Sequence, residues 1–349
     1  MTVIQPSQHH VFDEEKMIKA LSSRQERKLD LTVNLTNTRM CDDGEMVQAI
    51  TDKGQKVVTL NGTALKQTLQ KYEEITDKEL PVETFLNVLS PQERQSVWNR
   101  EVASLDVERV IRTHVPRVKE TGALNPDGRL AGYANVSTRY KPMDNIIVAQ
   151  VLRDVTLPVA IAPVMGTVID TDHSKFRFVP SKSEVAVGEF TPGFEVTNSE
   201  SGMGALEFFA FIYRKVCSNG MVVRVDAAFL KGTRRIHIGN GSNIEMPDFN
   251  IMWKQALRYC EMHNRANSIY VGTGAKVRVL NMAKDAGLTG AEIESVVDTA
   301  NQFYHGGRTV SDVVGSFTHA AQQYRKDNTR NRTNMELLGG RVLEYLMAA

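Results

Sequence analysis

The chain has 349 residues, with 42 Lys and Arg against 41 Asp and Glu, a formal net charge of +1 at pH 7. Hydrophobic residues make up 42% and charged residues 24%, which excludes a disordered or low-complexity chain and is enough to bury a core. The balanced charge excludes a uniformly basic nucleic-acid binder, so any surface for a polyanion has to be a local patch.

Residues 1–8 carry neither a basic n-region nor an apolar h-region, so no signal peptide is expected. The longest apolar runs, 159–168 and 206–213, are too short to cross a bilayer. Cys41, Cys217 and Cys260 are odd in number and far apart, which fits a reducing cytoplasm rather than a disulfide framework.

Residues 1–11 read as a polar tail in which His9 and His10 lack a third ligand. Asp13 is placed to cap a helix through about Lys28, with Met17, Ile18 and Leu21 on one face. Leu29, Leu31, Val33 and Leu35 then alternate with polar residues as in a half-buried strand. Helices are expected over 64–74 and 91–110, the second with Ser90 as cap and Pro91 at its first position. Gly122, Pro126, Asp127, Gly128 and Gly132 mark a loop or boundary. Beyond it, 133–140 reads as extended and Asp144 caps a short helix to about Asp154.

From 157 to 238 strand signals dominate. The runs 159–169 and 176–179 flank one turn, and 193–198 and 206–213 flank the turn at 201–204. The last third switches to helical spacing. Asp248 caps one helix, Thr289 and Glu292 form a capping box for the next, Ser311 starts a third, and Thr333 with Glu336 forms a second capping box. Strands followed by helices favour an α+β architecture: a central antiparallel sheet over about 133–240, helices over 248–346 packed on it, and a mixed, helix-rich region before them. The expected division is 1–125 and 126–349.

The chemistry-bearing residues are few. Cys217, beside Asn219 and Gly220, invites a nucleophile reading but has no sequence-local base, and a buried cysteine at a hairpin corner is the plainer expectation. Gly272, Thr273, Gly274 and Lys276 precede a helical run and form a candidate anion site. The spacing is neither a P-loop nor a dinucleotide fingerprint, and Thr273 reads equally well as a helix cap. Asp170, Asp172 and His173 share a turn that reads as a solvated hairpin tip, and no cofactor or metal is expected.

The basic residues are more suggestive. Residues 205–260 hold eight Lys and Arg against four Asp and Glu. Lys231, Arg234, Arg235 and His237 lie together within them, and Arg325, Lys326, Arg330 and Arg332 form a second group. Tyr140 sits between Arg139 and Lys141, and Phe209, Phe211 and Tyr213 share one face of a strand. Cations that follow phosphates beside rings that stack on bases are the components of a single-strand binder. The opposite face of that strand is also apolar, so its rings are expected to serve a core first.

Several segments resemble a family known as domain of unknown function 932. Residues 137–145 (Ser-Thr-Arg-Tyr-Lys-Pro-Met-Asp-Asn) are similar to its S-x-R-Y-x-P-x-x-N element. Residues 196–202 resemble its T-N-S-H-D-G hairpin, with Glu200 and Ser201 where the family has His and Asp. Residues 211–221 resemble its R-x-V-C-x-N element through Arg214, Val216, Cys217 and Asn219, and 309–346 resemble its closing segment. The likeness spans about 130–346. It implies a phage or plasmid origin and supplies no catalytic residues.

The expected function is therefore a non-catalytic, nucleic-acid-handling accessory protein in the host cytoplasm, binding single-stranded DNA and forming a homo-oligomer, with no membrane contact. The alternatives are a protein-interaction module directed at a host or phage protein, and a nucleotide- or nucleic-acid-acting enzyme using the 272–276 turn.

Overall fold

The computed structural model describes residues 14–116, 124–125, 127–154, 161–163, 172–180, 186–214, 221–224, 234–238, 247–323 and 329–348. Helix α1 (Glu14–Gln25) leads into β1 (Lys28–Asn34), β2 (Thr38–Met40), β3 (Met46–Thr51) and β4 (Gly54–Leu60). Helices α2 (Gly62–Thr76), α3 (Val82–Asn87) and α4 (Pro91–Arg100) follow, then β5 (Glu108–His114) and β6 (Leu130–Ser137). After α5 (Asn145–Asp154) come β7 (Ile161–Pro163), β8 (Ser174–Pro180), β9 (Phe190–Asn198), β10 (Leu206–Arg214), β11 (Met221–Arg224) and β12 (Arg234–Arg235). Five helices close the chain: α6 (Phe249–Ala266), α7 (Thr273–Asp285), α8 (Gly290–Phe303), α9 (Val310–Gln323) and α10 (Thr329–Ala348).

The architecture is α+β, with two sheets among the described residues. The first has the order β1-β5-β6-β4-β3-β2, and its one parallel pair among the described strands is β4 with β6. The helices between β4 and β5 make that parallel return possible, because a parallel neighbour needs a long crossover. Leu65, Leu69, Tyr72, Phe85 and Trp98 from these helices share a core with Val47 and Met40. Within it the Trp98 Nε1–H donates to Thr38 Oγ1 at 3.0 Å, satisfying the indole's single polar group.

The second sheet has the order β11-β10-β9-β8-β7, with β12 paired to the start of β10, and its pairs are antiparallel. Alternation sorts its residues. Phe176, Phe178, Phe194, Val196, Phe208, Ala210 and Ile212 join the large core shared with α5, α6, α9 and α10. On the other face Arg177 is ion-paired with Glu195 at 2.5 Å and with Glu336 of α10, while Arg224 is paired with Glu195.

The expected sheet over 133–240 is thus divided. β6 pairs with β4 and β5 and belongs to the first sheet, so the antiparallel second sheet starts later, at β7. The helix expected over 91–110 stops at Arg100, a short 3-10 turn follows at Val102–Ser104, and β5 has begun by Glu108. Its apolar residues Val110 and Ile111 pack in a sheet rather than on a helical stripe. The helix expected to reach Lys28 stops at Gln25, and Lys28 opens β1. Asp13, its expected cap, lies outside the described residues.

Ser90 caps α4 as expected, with Glu93 completing a capping box that the sequence reading did not single out, the Thr289–Glu292 box forms, and Asp248 caps α6 through the N–H groups of Asn250 and Ile251. The Thr333–Glu336 box does not. α10 already starts at Thr329, and Glu336 is drawn inward as a fully buried partner of Arg177. Ser311 also lies inside its helix. Thr309 and Asp312 bond reciprocally at that helix start instead, each backbone N–H donating to the other's side chain.

Candidate nucleic-acid interface

The two sheets are joined by short backbone contacts. β6 ends in a turn in which the Tyr140 N–H donates to the Ser137 carbonyl at 2.9 Å. Tyr140 then bridges Ile238, and the Lys141 N–H donates to the His237 carbonyl at 2.8 Å. Three residues earlier, Arg234 and Arg235 pair with Glu207 and Leu206 of β10. Residues 234–238 therefore stitch the second sheet to the end of the first.

A cleft of about 620 Å³ opens along this seam, walled by α2, β5, β6, the 202–205 turn and residues 234–238. That volume is within the range of about 300–1,000 Å³ found for ligand sites. Among the described residues its charged lining is Lys71, Arg109, Arg139 and Arg234 against Glu74. Glu74 is taken by Lys71 at 3.0 Å, and Arg234 is bound to Glu207 at 3.0 Å. Arg139 is exposed and has no partner among the described residues.

Arg109 is held differently. Its Nε–H donates to Asn135 Oδ1 at 3.0 Å, and its Nη2–H donates to the Asn135 carbonyl. Asn135 is itself fixed by α2: its backbone N–H donates to Gln67 Oε1 at 2.7 Å and its Nδ2–H to Thr68 Oγ1 at 2.6 Å. Gln67 in turn donates to the Ser201 carbonyl at 2.8 Å. Arg109 thus has neutral hydrogen-bond partners, and burial pulls its guanidinium below the ordinary arginine value while Glu74 acts on it through space in the opposite sense.

His237 forms part of the cleft lining and is 4% exposed. Its ring stacks on Tyr140, with centroids 5.3 Å apart and planes 4° from parallel. The Tyr140 hydroxyl lies 3.1 Å from the Glu200 carbonyl, 3.3 Å from that of Ser199 and 3.2 Å from His237 Nδ1. A phenol has one proton, and carbonyls only accept. Giving that proton to a carbonyl makes His237 Nδ1 the donor and leaves Nε2 as a bare acceptor, buried and without a partner among the described residues. Burial, reinforced by Arg112, lowers the His237 pKa to about 4, so the ring is neutral at pH 7.

Beneath the cleft lies a buried ionic cluster. The β-bulge between Arg112 and Thr113 interrupts the β5–β6 register where Arg112 enters the junction. Arg112 binds Asp144 at 2.7 Å and Asp30 at 3.2 Å, and its Nη1–H donates to the Glu200 carbonyl at 2.6 Å. Lys28 binds Glu200 at 2.6 Å and Asp144 at 3.1 Å, and Arg24 approaches Glu200 at 3.8 Å. Three cations meet three carboxylates, so the cluster is neutral and joins β1, β5, the start of α5 and the 199–201 turn.

The cleft brings together Arg139, Tyr140, Arg234 and His237 from two separate sequence groups. Lys141 is exposed beside it without lining it, and Arg235 is half-buried on the alternate face of β12. Lys231, Arg325, Lys326 and Cys217 lie outside the described residues, and Arg330 and Arg332 fall in the first turns of α10. Tyr140 is 9% exposed and already stacked, so it offers no open ring. Phe211 is fully buried, and Phe209 carries the Arg224 guanidinium at 4.3 Å. The exposed apolar residues at the cleft are instead Met203, Ile236 and Ile238, at 46%, 54% and 56%.

At the 272–276 turn the expected cap is corrected and the lysine is engaged by backbone. Gly272, not Thr273, occupies the cap position of α7, and the Lys276 ammonium donates to the Gly306 carbonyl at 2.7 Å. Asp172 accepts from Thr63 Oγ1 at 2.5 Å, and among the described residues no three His, Cys, Asp or Glu side chains gather as a metal site. No helix among them is long and apolar enough to cross a membrane.

Arg109, Lys71, Gln67 and Asn135 carried no motif that would have marked them. Comparison with protein-family models, curated proteins and solved structures found no match for the chain.

Proposed function

We propose that this protein is a non-catalytic, nucleic-acid-handling accessory protein of a phage or plasmid, acting in the host cytoplasm, and that its cleft holds a single strand by its phosphates. The supporting observation is the convergence of Arg139 and Arg234, almost one hundred residues apart, on one concave surface with Arg109 and Lys71. Cations in a concave wall track a phosphate backbone. Tyr140 and Phe211 are packed inside and Phe209 already carries Arg224, so the apolar contact to bases falls to Ile236 and Ile238.

The test is fluorescence anisotropy with a single-stranded oligonucleotide over a salt series. Replacing Arg139 and Arg234 together by alanine is expected to flatten the log–log salt slope by about 1.4, at about 0.7 for each lost phosphate contact. Folding is expected to be nearly unchanged, because the Arg234–Glu207 pair is exposed and Arg139 is exposed with no partner among the described residues. An unaltered slope in the folded double variant counts against the reading.

A second reading has its own observation. Ile236, Ile238 and Met203 are exposed at the same cleft, a rim that also suits an apolar peptide segment of a host or phage protein. It predicts partner capture that excess oligonucleotide does not displace.

A further inference from the structure

We infer that Arg109 is the phosphate receptor of the cleft, a preset guanidinium that takes one phosphate group on its outer edge. This deepens the nucleic-acid reading and rests on it only for the source of the phosphate.

Three observations carry the inference. First, Arg109 lies in the cleft wall with a charge that no carboxylate neutralises at contact distance among the described residues. The nearby carboxylate, Glu74, is engaged by Lys71. A half-buried cation without a counter-ion is costly unless something supplies the charge. Second, the side chain is already oriented. Nε and Nη2 both donate to Asn135, which fixes the guanidinium plane and leaves Nη1 and the second Nη2 proton for a ligand. That outer edge is the fork that meets two phosphate oxygens at once. Third, the support is layered. Asn135 is held by Gln67 and Thr68 of α2, and Gln67 is held by the Ser201 carbonyl. Side-chain freedom is therefore spent on folding rather than on binding, which is how a preorganised site gains affinity.

Asn135 itself suggests the decisive variant. Asn135→Asp keeps an oxygen on Arg109 Nε but places a carboxylate against the guanidinium. If Arg109 is a phosphate receptor, this built-in anion competes with the ligand. If Arg109 only braces β5 against β6, the same change strengthens the brace and leaves binding alone.

The experiment measures anisotropy of labelled (dT)15 with the full chain, wild type and Asn135→Asp. Thermal denaturation of each protein is recorded with and without inorganic phosphate. The expected result is at least a tenfold loss of oligonucleotide affinity in Asn135→Asp and a salt slope flatter by about 0.7. The phosphate-induced rise in midpoint is also expected to vanish. Wild-type affinity and slope in a folded Asn135→Asp overturn the inference while leaving the nucleic-acid reading standing. Should Asn135→Asp not fold, Arg109→Gln gives the same two readouts, and Arg109→Lys separates charge from fork by restoring the slope without the affinity. Stabilisation by inorganic phosphate that needs Arg109, with no binding to (dT)15, supports the phosphate site and overturns the nucleic-acid reading. Binding to neither probe overturns both.

Discussion

Glu200→Ala is expected to lower the unfolding free energy by about 3–5 kcal/mol, the usual cost of leaving buried charges without their partner. Glu200 is 1% exposed. Its carboxylate accepts from Lys28 at 2.6 Å and from the Asn145 N–H at 2.7 Å, where α5 begins, with Arg24 at 3.8 Å. Truncation leaves the buried Lys28 ammonium with Asp144 alone, at 3.1 Å, and strands the Asn145 backbone donor. The intact cluster need not be strongly stabilising relative to apolar residues of the same size, since desolvation offsets much of the attraction. Removing one member is a different matter, because the desolvation remains and the attraction is lost. Glu200→Gln keeps an acceptor for the Asn145 N–H and is expected to cost less than alanine. Urea unfolding of the three proteins checks the order.

The same cluster sets an acid limit. Burial alone would raise the Asp144 carboxyl, but Arg112 and Lys28 beside it bring its pKa below the usual 3.8. A carboxylate with a lowered folded pKa contributes stability that is fully present above its unfolded value and is lost as pH falls through the folded one. Wild-type stability is therefore expected to drop below about pH 4, with a shallower dependence in Asp144→Asn.

Gly193→Val is the second substitution with a large expected effect, on the order of 3 kcal/mol from overpacking. A Cβ at Gly193 would stand 2.6 Å from the Phe178 carbonyl oxygen and 2.6 Å from Phe211 Cζ. Neither neighbour yields easily: the first is backbone of β8, and the second is a fully buried ring. Even Gly193→Ala meets both contacts. Adding Phe211→Leu is expected to recover part of the loss, since it relieves the ring and leaves the carbonyl. Denaturant midpoints of the single and double variants give the coupling, and an alanine variant as stable as wild type would contradict this packing.

Much of the fold was legible because the signals were local. Ser90 with Pro91, Thr289 with Glu292, and Asp248 each announce a helix through groups three residues apart or fewer. The turn at 201–204, the alternation in β1 and the continuous apolar run of β10 are similarly short-range. What misled was equally local. Thr333 and Glu336 have the spacing of a capping box, yet a buried arginine at position 177 claims Glu336 from outside the helix. Residues 133–137 are extended as expected and 138–139 turn instead, but extension does not say which sheet receives a strand. The same limit applies to the cleft. Arg139, Arg234 and His237 stood out by charge density along the chain. Arg109 did not, because its significance comes from Asn135 and Gln67, which only the sheet and α2 bring alongside.

The placement of β6 between β4 and β5 governs how this protein emerges during synthesis. Residues 61–129 must leave the ribosome before the strand that fills the middle of the first sheet appears. Until then the flanks of β4 and β5 that β6 will cover are open backbone edges, able to recruit strands from other chains. Closure must also pay for a long loop before the parallel β4–β6 pairing rewards it, which makes it slow. A fragment ending at residue 125 never reaches that point: it carries five of the six strands and lacks the one that joins its two halves.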